Sequence, residues 1–119
     1  MITGIASVSL WTEDFTAILH FYRDILGLEL ISQHGDVPQL QAGNGILVLV
    51  KGKLPPAKNA FPLDFPLISL EVDDLDKTVA SLIGNNIEFD SSIEERRDSR
   101  WIRVCDPSGN LIQLVEIKK

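Results

Sequence analysis

The chain has 119 residues, 45% of them hydrophobic and 24% charged, enough apolar material for one folded domain and little room for two. With 11 Lys+Arg against 17 Asp+Glu, its formal charge is −6, and such a surface repels phosphate backbones and anionic lipid, so neither nucleic acid nor membrane is expected as a partner. A single cysteine, Cys105, and two histidines, His20 and His34, exclude an intrachain disulfide framework and a multi-cysteine zinc knuckle.

At the start of the chain, Met1–Ile5 lacks the basic and long apolar regions of a signal peptide, and no apolar run approaches the ~18 residues of a spanning helix. Together with the lone thiol, this leads to the expectation of a cytoplasmic protein. Ile5 to Trp11 reads as a strand. Thr12, Glu13 and Asp14 are helix-start residues, Asp14 the N-cap, and Phe15, Ile18, Leu19, Tyr22, Ile25 and Leu26 form the apolar stripe of the helix that follows. Gly27 is placed to end it in a left-handed conformation. Strand then resumes at Leu28–Ile31, a turn falls at Gly35-Asp36, and further strands run near Gln39–Ala42 and over Ile46–Val50 around a Gly43-Asn44-Gly45 turn. The first half thus reads β-α-β-β-β.

Between Gly52 and Pro66, four prolines (Pro55, Pro56, Pro62 and Pro66) block regular structure. Phe61, Leu63 and Phe65 make this linker too apolar to be freely solvated, so it is expected to pack on the surface or on a partner chain. The first pattern then returns: a strand at Leu67–Val72, a helix capped at Asp73-Asp74 with the stripe Leu75, Val79, Leu82 and Ile83, an end at Gly84-Asn85-Asn86, and strands near Ile87–Ile93, Trp101–Cys105 and Leu111–Ile117. Ser9-Leu10 aligns with Ser69-Leu70, Glu13-Asp14-Phe15 with Asp73-Asp74-Leu75, and Gly43-Asn44 with Gly109-Asn110. About half the chain is an internal duplicate of the other half.

Three stretches carry a resemblance to a known family. Phe21-Tyr22-Arg23-Asp24-Ile25-Leu26-Gly27-Leu28 is similar to its first helix exit, Leu70-Glu71-Val72-Asp73-Asp74-Leu75 to its second strand-to-helix junction, and Cys105-Asp106-Pro107-Ser108-Gly109-Asn110-Leu111-Ile112-Gln113-Leu114-Val115-Glu116 to its closing hairpin. In this order they resemble the glyoxalase/bleomycin-resistance/dioxygenase superfamily, the vicinal oxygen chelate fold. The resemblance implies an α+β fold in which two βαβββ modules form a curved mixed sheet around a concave cleft, with residues 1–51 as the first module, 52–66 as linker and 67–119 as the second. It also implies a homodimer, with strands in some members swapped between chains.

Metal-dependent members hold a divalent ion through a His in the first strand, a His or Gln opening the second half, and a Glu in the last strand of each half. In this chain the resemblance places Ser7 at the first of these positions, Leu67 at the second and Gln113 at the last, and Ile46–Val50, the equivalent strand of the first half, has no polar side chain. A divalent ion needs converging imidazoles or carboxylates, so neither metal nor cofactor is expected. Strand alternation puts Val8 and Leu10 toward the helix and Ser7, Ser9 and Trp11 toward the cleft, and likewise Leu67, Ser69, Glu71 and Gln113. Trp101 and Arg103 share one parity, which leaves their face open, and on the cleft side they complete the expected lining. The two indoles suit a flat ligand, Arg103 an anionic group and Glu71 a cationic one.

Other chemistry finds less support. Cys105 has no histidine evidently poised beside it and is expected to be a small buried strand residue. His20 is expected on the helix surface, and His34 stands where a strand meets a turn, within reach of a substrate contact. Asp106 is read as a hairpin-turn residue, Asp73-Asp74 as a helix start, and Glu94-Glu95 as solvated charge in a polar loop beside Arg96-Arg97. The function expected is therefore binding or sequestration of a small organic molecule without metal. The alternative is a lyase, isomerase or dioxygenase with an unusual metal site.

Overall fold

The computed structural model describes residues 1–34, 37–53, 67–89 and 91–118, and the backbone alone of His34. The chain forms two compact units, Met1–Leu54 and Pro55–Lys119. Each holds one four-stranded mixed sheet with a helix inserted between its first and second strands. The fold is α+β and built of two modules, as expected. The proline-rich stretch and the Gly35-Asp36 turn lie outside the described residues.

In the first unit, β1 (Val8–Thr12) runs parallel to β4 (Gly45–Lys51), and β4, β3 (Val37–Ala42) and β2 (Glu29–His34) follow antiparallel, in the order β1-β4-β3-β2. β1 starts three residues later than the β-formers suggested, because its pairing with β4 begins at Val8, and Ile5 is left exposed. Thr12 and Asp14 turn the chain out of the strand: the Thr12 hydroxyl donates to the Asp14 carbonyl and accepts the Asp14 amide. Asp14 then caps α1 (Phe15–Leu19) by accepting the Ala17 amide at 3.0 Å.

From His20 to Ile25 the helix widens to a π-helical stretch, and the Leu26 amide reaches back five residues to the Phe21 carbonyl. Widening slows the rotation per residue below that of an α-helix. The buried face runs through Ile18, Phe21 and Tyr22, all fully buried, and Ile25 and Leu26 are only half-buried. The stripe read from the sequence left out Phe21, whose ring meets Tyr22 edge-on at 4.9 Å. Gly27, with φ +79°, makes the left-handed exit that a side chain would resist. These helix residues, with Leu10, Leu40, Leu47 and Leu49 from the sheet, make up the buried core of the unit.

The second unit repeats the design. β5 (Ile68–Glu71) runs parallel to β8 (Leu111–Ile117), and β7 (Ser99–Cys105) and β6 (Glu94–Glu95) complete the order β5-β8-β7-β6. Asp74 caps α2 (Leu75–Gly84) through the Lys77 amide, as Asp14 does in the first unit. Leu75 and Leu82 are fully buried, but Ile83 is 59% exposed and falls outside the stripe assigned to it. No strand spans Ile87–Ile93: among the described residues there, only Phe89 bridges to Val104. The strand appears instead at Glu94–Glu95, pairing with Arg100 and Trp101. These two glutamates belong to a short charged edge strand, not to a loop, and such edges discourage pairing with another chain.

Two long-range contacts fix α2 on its sheet. Glu116 on β8 accepts the Leu75 amide at 2.9 Å, and Arg100 on β7 makes a two-pronged pair with Asp76 at 3.0 and 3.1 Å. Arg100 and Glu116 are register partners, so they mark the helix-facing side of this sheet, with Ile102, Val104, Ile112 and Leu114. Asp106 closes the β7–β8 connection: its buried carboxylate accepts the Ser108 amide and both the amide and side chain of Asn110, at 2.8–3.0 Å. The role is structural, as the Asp-Pro-Ser-Gly-Asn pattern indicated.

Candidate functional site

Once each helix covers one face of its sheet, the other face is the place where side chains remain available. Residues paired in register lie on the same face of a sheet, so the ladders specify these faces directly. In the second unit, Ser69 pairs with Gln113 and Gln113 with Arg103, giving one row across three strands. Glu71 pairs with Val115, Val115 with Trp101 and Trp101 with Glu94, giving the next row. Neighbouring strands lie about 4.8 Å apart and alternate residues along a strand about 6.8 Å, so the two rows form one small polar and aromatic surface.

Sequence parity had grouped Trp101 with Arg103 but left their face open. The register puts both beside Gln113, Ser69 and Glu71, opposite the helix-facing side. Trp101, Arg103, Gln113 and Val115 are half-buried, whereas Ser69 and Glu71 are exposed. Gln113 donates its Nε2 to Ser69 Oγ at 3.0 Å, tying the two polar side chains of the row together. Over Trp101 sits the guanidinium of Arg96, its carbon 5.2 Å from the ring centroid. Leu67, just before β5, is 45% exposed.

The open face of the first unit carries Ser9 paired with Val48, Trp11 paired with Val50, and Gln39 paired with Val48. Trp11 is 42% exposed and leans over Gly52, where a Cβ would stand 2.8 Å from the indole Cε3. Ser7 precedes β1 and is exposed. Gln39 and Gln41 belong to this face and were overlooked in the sequence, although the alternation Gln39-Leu40-Gln41 is there to be read. Gln41 is occupied by its own hairpin turn, donating to the Gly43 carbonyl. Arg96 and Glu94 were overlooked as well, and only the β6–β7 pairing brings them to Trp101.

Cys105 departs from its expected burial. It ends β7 on the same parity as Trp101 and Arg103, and so is exposed. His20 lies on the helix surface, its Nδ1 3.0 Å from Asp24 Oδ2. Arg23, and secondarily His20, hold the Asp24 carboxyl below its usual range. The side chain of His34 lies outside the described residues. Among the described residues, no three His, Cys, Asp or Glu side chains converge where they could hold a metal ion.

The chain matches the sequence profile of the Glyoxalase/Bleomycin resistance protein/Dioxygenase superfamily over residues 4–114. It belongs to that superfamily. This glyoxalase-superfamily chain has no match among curated proteins. Solved structures similar to it include lactoylglutathione lyase from Agrobacterium tumefaciens, at 22% identity over 97% of this chain and 94% of that one, with a TM-score of 0.73. A genomically encoded fosfomycin resistance protein from Listeria monocytogenes is 16% identical over 98% and 94%, with a TM-score of 0.80. A glyoxalase/dioxygenase from Nostoc punctiforme is 18% identical over 98% and 92%, also at 0.80. At these identities the likeness concerns the fold. No helix among the described residues is long and apolar enough to cross a membrane.

Proposed function

We propose that this glyoxalase-superfamily chain binds a small organic molecule on its open sheet faces without a metal ion. The observation that carries the reading is the ladder that gathers Trp101, Arg103, Gln113, Ser69 and Glu71 on one face of the second sheet. An aromatic platform with a few polar groups beside it is the usual make-up of a small-molecule site. In the first module, Ser7, Ser9 and Trp11 are the corresponding contributors, and Leu67 adds apolar surface at the start of the second.

The donor set supports metal independence. At the positions where the resemblance expects ligands stand Ser7, Leu67 and Gln113, with Val48 on the equivalent strand of the first module. Two are neutral polar groups and two are hydrocarbon, and Gln113 already turns its amide toward Ser69. Such a set does not fit a divalent ion, which prefers imidazole, carboxylate or thiolate. A lyase and an antibiotic-resistance protein share this fold, so the fold leaves catalysis and sequestration both open, and the side chains favour binding.

Calorimetric titration with Ni²⁺, Zn²⁺ and Mn²⁺ tests the metal half of the proposal: no stoichiometric heat is expected, and tight one-to-one binding overturns it. The ligand half is read from the two indole N–H resonances, one for each tryptophan. A fragment screen is expected to move the Trp101 signal, and a screen that moves neither signal overturns binding at these faces. Metal-stimulated turnover of glutathione hemithioacetals or catechols would establish the enzymatic alternative. Homodimerisation is proposed with it, and light scattering should give twice the 13.2 kDa chain mass; a monomer would refute it.

A further inference from the structure

Resting on that reading, we infer that the second module's open face selects a flat aromatic acid, with the ring on Trp101 and Val115 and the carboxylate at the Arg103-Gln113-Ser69 row. The charges on this face are ordered by row. Glu71 and Glu94 stand at the two ends of the Trp101 row, with Val115 and Trp101 between them. An anionic group placed along this row meets a carboxylate at either end, and the cation at its centre, Arg96, is already stacked on Trp101. Among the described residues, the adjoining row holds Arg103, Gln113 and Ser69, a cation and two neutral groups able to donate hydrogen bonds, and the Ser91 hydroxyl beside it accepts the Arg103 amide at 3.2 Å.

A guanidinium has five N–H donors, so Arg103 can keep an existing partner and still receive a carboxylate. The spacing between rows, about 6.8 Å, spans a six-membered ring and its attached acid group. Arg96 strengthens the case for an aromatic body. Its guanidinium already lies over Trp101, in a position that a flat ring would take, and a planar ligand would either displace it or stack beside it. The result is a directional site: apolar and flat at Trp101, cationic and hydrogen-bond-donating at Arg103.

Cinnamate, cinnamyl alcohol and cinnamylamine share one body and differ in charge, so calorimetric titration of the full chain with all three is decisive. Quenching of Trp101 in a Trp11→Phe variant, which retains a single indole, reports whether the ring sits there. Cinnamate is expected to bind at least tenfold more tightly than the other two and to quench Trp101. Arg103→Gln should cost about tenfold for cinnamate and leave the alcohol unchanged, whereas Glu71→Gln should not weaken the acid. Circular dichroism and an unchanged affinity for the alcohol show that the variants are folded. Equal binding of the three, or an Arg103→Gln variant that keeps full preference for the acid, overturns the acid assignment and leaves small-molecule binding standing. If none of the three binds, the acid assignment also falls, and the fragment screen alone then decides small-molecule binding.

Discussion

Glu116 offers the sharpest test of how the second module is held together. It sits on β8, forty-one residues from Leu75, and its Oε1 accepts the first amide of α2 at 2.9 Å. Asp74 serves the Lys77 amide, not that of Leu75, so Glu116→Ala leaves this helix-start donor without its carboxylate. A hydrogen bond to a charged group contributes about 1.5–3 kcal/mol. The Glu116 side chain is 24% exposed, so water can partly replace it, and we place the loss near the lower end, about 1.5 kcal/mol. The weaker pairing with Arg100, 3.8 Å away, adds little, because Arg100 keeps its two-pronged contact to Asp76. Glu116→Gln retains a carbonyl acceptor without the charge and should cost roughly half as much. Urea denaturation at neutral pH measures both, and Tm should fall by about 6 °C for the alanine variant. Hydrogen exchange adds a local readout, since the Leu75 amide should lose protection in the alanine variant and keep most of it in the glutamine variant. A change below about 0.3 kcal/mol in Glu116→Ala, within the range of ordinary surface substitutions, would show that the contact does not hold α2. Equal losses in the two variants would show that charge matters and the acceptor does not.

Four further outcomes are expected. Asp106→Ala removes a buried carboxylate that receives three hydrogen bonds in the β7–β8 connection and should destabilise the chain by about 2–4 kcal/mol in urea melts. Gly52→Ala puts a methyl 2.8 Å from the Trp11 ring, so the indole must move, and the emission maximum of Trp11 in a Trp101→Phe background should shift; an unchanged spectrum would contradict the packing. Arg100 holds the Asp76 carboxyl below its usual range by hydrogen bonding; a depressed folded-state pKa contributes stability above the unfolded value of about 3.9 that is lost as pH falls through the folded one. Asp76→Asn should therefore flatten the acid limb of the stability profile below about pH 4 and lower stability at pH 7. Finally, Leu67→His with Gln113→Glu brings an imidazole and a carboxylate to one open face, and calorimetry with Ni²⁺ should detect weak binding that the parent chain lacks.

Where the sequence was legible, a local rule was at work. Asp14 and Asp74 are capping residues placed before apolar periodic runs, and each accepts the amide three residues on. Gly27 and Gly109 stand where the backbone takes a positive φ. Strand alternation separated Leu10 from Trp11 and Leu114 from Gln113 correctly, because it depends only on the two-residue period of a strand. The errors arose where a nonlocal choice entered. Nothing in the helix stripe indicates a widening at His20, and Phe21, at i+3 from Ile18, was passed over although the helical period includes it. Ile87 to Ile93 has strand-like composition, yet the edge of the sheet is taken by Glu94 and Glu95, whose pairing with β7 no propensity suggests. Cys105 was assigned to the interior from residue type, and only the β7–β8 register, which puts it on the same face as Arg103, shows it exposed. The surroundings of Trp101 were not readable at all, because Arg96 and Glu94 reach it through the β6–β7 pairing.

The same ladders separate the family pattern from the residues of the open faces. The matching stretches do structural work away from the open faces: Phe21 and Tyr22 fill the first core, Gly27 turns the chain, Asp74 caps α2, Asp106 and Asn110 close a hairpin, and Glu116 holds a helix start. Ser7, Leu67 and Gln113 provide none of these. In a strand with one face covered, neighbouring residues answer to different constraints, since one packs under a helix and the next projects from the open face. Gln113 lies between Ile112 and Leu114, both buried, and is on the opposite face from them. The motif positions and the open-face positions therefore answer to different physical demands. For a chain of this superfamily, the motif match identifies the scaffold, and function has to be argued from the alternate residues between the motif's buried ones. In the second module those residues are Ser69, Glu71, Trp101, Arg103 and Gln113, and their order in rows, with carboxylates bounding the indole and donors gathered beside it, is what makes a flat anion the ligand to try.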